Sequence, residues 1–318
     1  MRNRDIIYKV ISYTFFVLAL LMSYVKIANS SISKNDISQK SKLFEPVIRV
    51  LLSKGVDSAF IFKIIGDKNT IFHEKYLRIN VLNFNSKPDY SAHYNRESTR
   101  ESAKYLRKYY DIFQKTEDKY LVPKETIASI LWVETRFGQN TGNHSVLSVF
   151  LSTALSNQAQ YLKMNRDNLI SEFDGTEQEL AALDQKLIQR SNKKTNWAID
   201  ELIALYQINK KNPNWIFDLK GSWAGAFGYS QFLPSSYLKW AVDGNNDGKI
   251  DLYNIEDAIF SVANYLKTNG WSPLYENQKA AVFHYNNSND YVKAIFRLSN
   301  KLKPKEEIDS LQIEAEAE

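Results

Sequence analysis

The stretch AVDGNNDGKIDLYNIEDA (residues 241–258) places Asp and Asn on alternate positions around a glycine. Counted from Asp243 it places Asn245 third, Asp247 fifth, Gly248 sixth, Ile250 eighth and Asp251 ninth. Oxygen donors on alternate residues can wrap a hard cation, with the carbonyl of Lys249 at position seven and Gly248 making the sharp turn. That is the ligand order of an EF-hand-type calcium loop, and structural Ca2+ is the cofactor it implies. Asn254 stands at position twelve, where a bidentate Glu is usual, so weaker binding is expected. A metal-free Asn/Asp/Gly turn is the other reading. Both readings put helices on either side. PSSYLKWAV precedes the loop, with Ser235 or Ser236 as a cap, and NIEDAIFSVANYLKTNG follows it, opening on Asn254 with two acids and closing on Gly270. Strand-like alternation is scarce throughout, so the class is mainly α.

Outward from this loop, three segments carry functional residue types. KGSWAGAFGYSQFLPSSY (residues 220–237) alternates small and aromatic residues. Gly225 and Gly228 there allow a close approach, either of backbone in tight packing or of a sugar ring. Neither a P-loop nor a dinucleotide glycine pattern is present. VFHYNNSNDYV (residues 282–292) gathers Tyr285, Asn286 and Tyr291 between apolar flanks, and an ordinary loop would explain it equally well. ILWVETRFG (residues 130–138) sets a carboxylate in the most apolar run of the chain. Ile127, Ile130, Leu131 and Glu134 recur at i, i+3, i+4 and i+7, one face of a helix. Glu134 is thereby carried inward, and a carboxylate so placed is paired, protonated or catalytic. Arg136 at i+2 points elsewhere and cannot be its partner within the helix.

The remaining chemistry is bounded by absences. The chain has no cysteine, its four histidines (His73, His93, His144, His284) are scattered, and no serine lies in a G-x-S-x-G elbow. Nucleophilic and zinc chemistry drop out, leaving carboxylate acid/base catalysis. The formal charge of +5 falls to +2 without the first thirty residues, which is no nucleic-acid signature.

Along the 318 residues, the first thirty read as a signal peptide or membrane anchor: a basic start, then an uncharged apolar run over residues 10–25. Ala28 and Ser30 suit cleavage after Ser30. The protein is therefore expected to be exported, periplasmic or in the cell envelope, and held at the inner membrane by residues 10–25 if the segment stays uncleaved. Residues 31–42 read as a polar linker, 43–118 as an N-terminal helical region, 119–302 as the catalytic domain and 303–318 as a charged tail. Within the catalytic domain, residues 172–213 read as an inserted helical hairpin and 243–254 as the calcium loop.

Taken in order, VETRFG, the run KGSWAGAFGYSQFLPSSYLKWAVDGNNDGKIDLYNIEDAIFSVANYLKTNGW and HYNNSNDYV resemble the B-type lytic murein transglycosylases over about residues 119–302. The resemblance implies a lysozyme-like α core with an embedded EF-hand-type loop. It implies cleavage of the β-1,4 bond between MurNAc and GlcNAc in peptidoglycan, leaving a 1,6-anhydro end. By position it makes Glu134 the catalytic acid/base and Ser222, Gln231, Tyr265, Tyr285, Asn286 and Tyr291 substrate-binding residues. Asp243, Asn245, Asp247, Lys249, Asp251 and Asn254 become the metal set. Peptidoglycan glycan strands are the partner implied, with no nucleic acid and the membrane reached only through the N-terminal segment. The sequence specifies no partner in wall-synthesis or secretion machinery. The chain departs from the pattern in three ways. The segment after ETRFG is longer, SNQAQY lacks the paired arginines some members carry, and no room remains between GW and HYNNS for a small β subdomain. Two alternatives stay open: a muramidase hydrolysing the same bond, and a non-catalytic calcium-dependent wall-binding scaffold.

Overall fold

The computed structural model describes residues 34–82, 88–171 and 173–304, which are mostly helical. In chain order the helices are α1 (Lys34–Leu43), α2 (Glu45–Ser53), α3 (Ser58–Gly66), α4 (Glu74–Leu82), α5 (Arg96–Lys108), α6 (Tyr110–Tyr120) and α7 (Lys124–Thr135). There follow α8 (Val146–Thr153), α9 (Ala159–Ile170), α10 (Glu177–Lys211), α11 (Pro234–Trp240), α12 (Ile255–Thr268), α13 (Tyr275–Tyr285) and α14 (Asn289–Leu302). Strands β1 (His144–Ser145) and β2 (Lys220–Gly221) pair antiparallel, His144 opposite Gly221.

Two compact units divide between Phe72 and His73. In the first, α1, α2 and α3 pack together over Phe44, Ile48, Leu51, Ile61 and Ile64, all essentially inaccessible. Asp57 caps α3, its carboxylate accepting from the Phe60 amide at 3.0 Å. Residues 31–42 were expected to be linker, but from Lys34 the chain is helical. The polar composition of α1 gives it little drive of its own, and packing on α3 holds it.

The second unit begins far earlier than residue 119. Helices α5 and α6 pack on α7, and α6 also packs on α12, with Tyr120 edge-on to Phe260 at 6.1 Å. Their buried positions, Leu106, Phe113 and Tyr120, face this larger core, so they do not form a separate N-terminal region. Helix α7 is buried along nearly its whole length and packs most extensively on α14. It stops abruptly, since Arg136 (φ 51°), Phe137 (φ 56°) and Gly138 (φ 87°) are all left-handed. The Arg136 amide donates to the Trp132 carbonyl (2.8 Å) and that of Phe137 to Leu131 (3.1 Å), which satisfies the helix end.

Residues 172–213 are not a hairpin. From Glu177 they form the single 35-residue helix α10, opened by a capping box between Thr176 and Glu179. No Gly or Pro interrupts residues 177–211, and the polar SNKKTN in the middle is tolerated inside a helix. Its antiparallel partner is the preceding α9, with Arg166 paired to Asp184 at 2.9 Å and Asn157 to Asn192 at 3.3 Å. The Asp/Asn loop lies between α11 and α12, but α11 spans only seven residues, a shorter entering helix than the expected helix–loop–helix. Among the described residues no helix is long and apolar enough to cross a membrane. The apolar run at 10–25 and the tail from 305 onward lie outside them.

Candidate active site

Glu134 occupies the last turn of α7, on the stripe of Ile127, Ile130 and Leu131, which are fully buried. It is itself half-buried. Removal from water pushes its carboxyl up to about 7, with the hydrogen bond from Tyr291 acting in the opposite direction. That bond runs from the Tyr291 hydroxyl to Oε1 at 2.7 Å. Among the described residues no other side chain bonds this carboxyl, and Oε2 has no protein partner.

A wall of tyrosines surrounds the acid. Tyr291, in the first turn of α14, is 1% exposed and its ring lies parallel to that of Tyr285 (6.5 Å, 8°). Ser288 caps α14 by accepting from the Tyr291 amide. Tyr285 donates to the Ser230 carbonyl at 2.5 Å and meets Tyr265 edge-on at 4.7 Å. Tyr265 donates to the His284 carbonyl at 2.9 Å, and its hydroxyl lies 2.7 Å from His284 Nδ1. Burial, and secondarily the charge on Glu134, push the hydroxyls of Tyr285 and Tyr291 well above 10, so both remain neutral donors.

Tyr90 is a site residue that the sequence did not single out. Its ring meets Tyr291 edge-on at 5.7 Å, and its hydroxyl hydrogen-bonds the side chain of Asn286. The turn that presents it is held by Asp89, whose carboxylate accepts from the amide (2.8 Å) and hydroxyl (2.9 Å) of Ser91. The available signal was the turn chemistry of Lys87-Pro88-Asp89 ahead of an aromatic residue.

The loop from Gly221 to Phe232 folds back on itself through bridges Gly221–Phe227 and Phe227–Phe232. Gly225 and Gly228, both at positive φ, approach protein: a Cβ would fall 2.3 Å from the Phe150 ring and 2.4 Å from Leu252 Cβ. The tight-packing reading therefore accounts for both glycines. Gln231, at φ 49°, donates from Nε2 to the carbonyls of Thr141 (3.1 Å) and Gly228 (2.9 Å), tying two loops together. Ser222 is half-buried and closes a turn by accepting from the Gly225 amide, with no bond to Glu134. Thr135 fastens this loop to α7. Its hydroxyl donates to the Tyr229 carbonyl at 2.9 Å and accepts from the Gly138 amide. Glu134, Tyr265, Tyr285, Asn286 and Tyr291 thus share one constellation, and Ser222 and Gln231 belong to the adjoining loop.

In the Asp/Asn loop the side chains serve the loop's own amides. Asp243 accepts from Gly248 (2.8 Å) and Asp247 (3.2 Å), Asn245 from Asp247 (3.0 Å), Asp247 from Lys249 (2.8 Å) and Asp251 from Tyr253 (2.9 Å). Asn254 is occupied as the cap of α12, accepting from Glu256 at 2.8 Å. The carboxylate that clamps the loop is instead Asp257, 1% exposed, which accepts from the amides of Gly244 (2.8 Å) and Asp251 (2.6 Å). Burial pushes its carboxyl up while those amides pull it down. The donors are all oxygen, which suits a hard cation. Among the described residues, however, no three His, Cys, Asp or Glu side chains converge as a metal cluster.

Comparison with known proteins gives a consistent result. The family model described as "Transglycosylase SLT domain" matches residues 84–281. The membrane-bound lytic murein transglycosylase B of Escherichia coli (strain K12) is 30% identical over 175 residues, 55% of this chain and 39% of that protein. The chain thus spans about two fifths of that relative's length. The structure of the Escherichia coli lytic transglycosylase SLT35 in complex with calcium superposes with TM-score 0.61 at 22% identity, covering 81% of this chain and 92% of that one. The soluble lytic transglycosylase SltB1 from Pseudomonas aeruginosa gives 0.61 at 19% identity, with 82% and 98% covered. Both share the fold.

Proposed function

As this chain belongs to the transglycosylase SLT-domain family, we propose that it is a lytic transglycosylase cleaving the β-1,4 bond between MurNAc and GlcNAc in peptidoglycan. The observation that carries this reading is the solitary carboxyl of Glu134, held near neutrality in an apolar socket with one hydroxyl bonded to it. Hydrolysis by paired carboxylates needs two acids about 5–10 Å apart across the bond. Among the described residues no carboxylate contributes to the shift at Glu134.

One acid suffices when the sugar supplies its own nucleophile. Protonated Glu134 donates from Oε2 to the glycosidic oxygen as the bond to C1 breaks, and the GlcNAc side departs with that proton. The N-acetyl group of MurNAc stabilises the cation developing at C1. Ionised Glu134, its Oε1 steadied by Tyr291, then takes the proton from the C6 hydroxyl as that oxygen bonds to C1. The product is a 1,6-anhydro ring, water is not consumed, and Glu134 ends protonated. Tyr265, Tyr285 and Asn286 orient the sugar, with Ser222 and Gln231 shaping the adjoining loop.

Mass spectrometry of muropeptides released from purified sacculi tests this reading. Anhydro ends, lighter by one water than reducing ends, are expected. Reducing ends alone would make the enzyme a muramidase, and no release at all would leave a wall-binding scaffold.

Calcium belongs to the same proposal. Asp243, Asn245, Asp247, the Lys249 carbonyl, Asp251 and Asn254 offer it oxygen donors, and a bound ion would brace the turn between α11 and α12. Family membership supports an exported, cell-envelope enzyme acting on glycan strands, with residues 10–25 as signal or inner-membrane anchor.

A further inference from the structure

Helix α5 buries Ser98, Ser102 and Leu106 and turns a charged face outward. Arg96, Arg100, Lys104 and Arg107 recur at i, i+4, i+8 and i+11, one stripe of the helix, with Lys108 beside it, and all five are exposed. Arg100 meets Glu101 at 3.1 Å, but among the described residues no carboxylate pairs with the other four. Like charges one turn apart oppose each other on a helix, so this face favours an anion that carries several charges along its length.

The stripe widens at its start. Tyr94, two residues before α5, accepts from Arg297 Nη1 at its hydroxyl (3.0 Å) and from Lys301 Nζ at its carbonyl (2.6 Å), so the last turns of α14 add two cations. Arg96, Glu97 and Arg100 line a surface cavity of about 660 Å³, within the size range of ligand pockets. The chain leaves α14 just beyond Lys301, and the stretch that follows, KEEIDSLQIEAEAE (residues 305–318), carries six acids against one lysine. Helix α5 is about 20 Å long, whereas fourteen residues can extend over about 46 Å, so that stretch is long enough to cover the whole stripe.

We propose that residues 305–318 dock on α5, with Glu306, Glu307 and Asp309 against the cations around Tyr94 and Glu314, Glu316 and Glu318 farther along the stripe. Exposed ion pairs are individually weak, but a tethered partner meets the face at high effective concentration, so several together hold. On the same helix the Tyr105 ring stacks on Phe137 (3.8 Å, 6°), so the occupied helix also supports the segment that follows Glu134. The contact is independent of the bond the enzyme cleaves.

Carbodiimide joins a carboxylate to a lysine amine in direct contact and leaves arginine unreacted. After treatment of the full chain at about 0.1 M salt, peptide mass spectrometry should find links from the acids of 305–318 to Lys104 and Lys108. These should be about fivefold more abundant than links to exposed lysines elsewhere, such as Lys193 and Lys210. Arg96→Gln combined with Arg100→Gln leaves both amines in place and should cut the links about fivefold. Raising salt to about 1 M should do the same without any substitution, because exposed charges are then screened beyond about 3 Å. Links that resist both changes, or that are no more abundant on α5 than elsewhere, would overturn the proposal. So would links found only between two copies in a mixture of isotope-labelled and unlabelled chains, or no links at all. If links are absent and phosphatidylglycerol vesicles bind the protein but not its Arg96→Gln/Arg100→Gln variant, the face belongs to a lipid surface instead.

Discussion

Tyr291 donates its hydroxyl to Glu134 Oε1 at 2.7 Å across 157 positions of sequence. The bond favours the ionised acid, while the apolar stripe of α7 favours the neutral one, and burial is the larger influence. The balance leaves a carboxyl that can both give and take a proton near neutral pH.

Stability should carry the signature of that burial. The folded protein holds the Glu134 proton up to about pH 7, whereas the unfolded chain releases it near 4.5. The contribution of this group is complete below pH 4.5, declines as pH rises to 7, and is absent above. The difference is about 3 kcal/mol between pH 4 and pH 8. Glu134→Gln should remove this part of the pH dependence in denaturant titrations and make the protein more stable at pH 8. Cleavage of sacculi by the same variant should fall by about 10²–10⁴-fold.

Tyr291→Phe removes the single hydrogen bond that lowers the pKa of Glu134. The alkaline limb of the pH–rate profile should move to higher pH, and kcat should fall about tenfold for want of a charge-assisted bond to the ionised form. A limb that moved down, or stayed still, would mean that the hydroxyl does not act on this carboxyl.

Gly138→Ala should be costly despite its small size. Gly138 has φ +87°, and an added Cβ would lie 2.2 Å from the Tyr229 ring. About 3 kcal/mol of stability should be lost in thermal or denaturant unfolding. Activity should fall as well, because the displaced segment leads directly out of Glu134.

Calcium is tested by melting curves with and without chelator. At calcium a hundredfold above its Kd, removal should lower Tm by about 5 °C, and Asp243→Ala should abolish the difference. Asp257→Asn should behave differently, losing about 2 kcal/mol with or without metal, because Gly244 and Asp251 donate to different oxygens of Asp257 and the NH2 that replaces one of them cannot accept.

How legible this was in the sequence depended on the range of the interactions. The stripe leading to Glu134 follows from helical period alone, and α7 forms as that period requires. Asn254 as a cap is equally local. The clamp on the loop was missed because the twelve-residue pattern ends before Asp257, whose burial depends on where α12 packs. Tyr90 was missed because no periodicity marks a residue in a turn, and only its docking on Tyr291 gives it a role. The linker read at 31–42 and the hairpin read at 172–213 differ from the structure in the same sense, since helix is decided there by neighbours that a local reading does not contain.

Helix α10 would span about 52 Å, yet none of its residues before Leu187 is buried. The portion from Glu177 to Lys186 therefore contributes little to the core. A fluorophore fixed there would report on engagement with the wall from a rigid arm outside the core, without perturbing the acid. Trimming that arm by whole turns would keep the register of the rest and show how much of the enzyme's grip on an insoluble, cross-linked substrate is leverage.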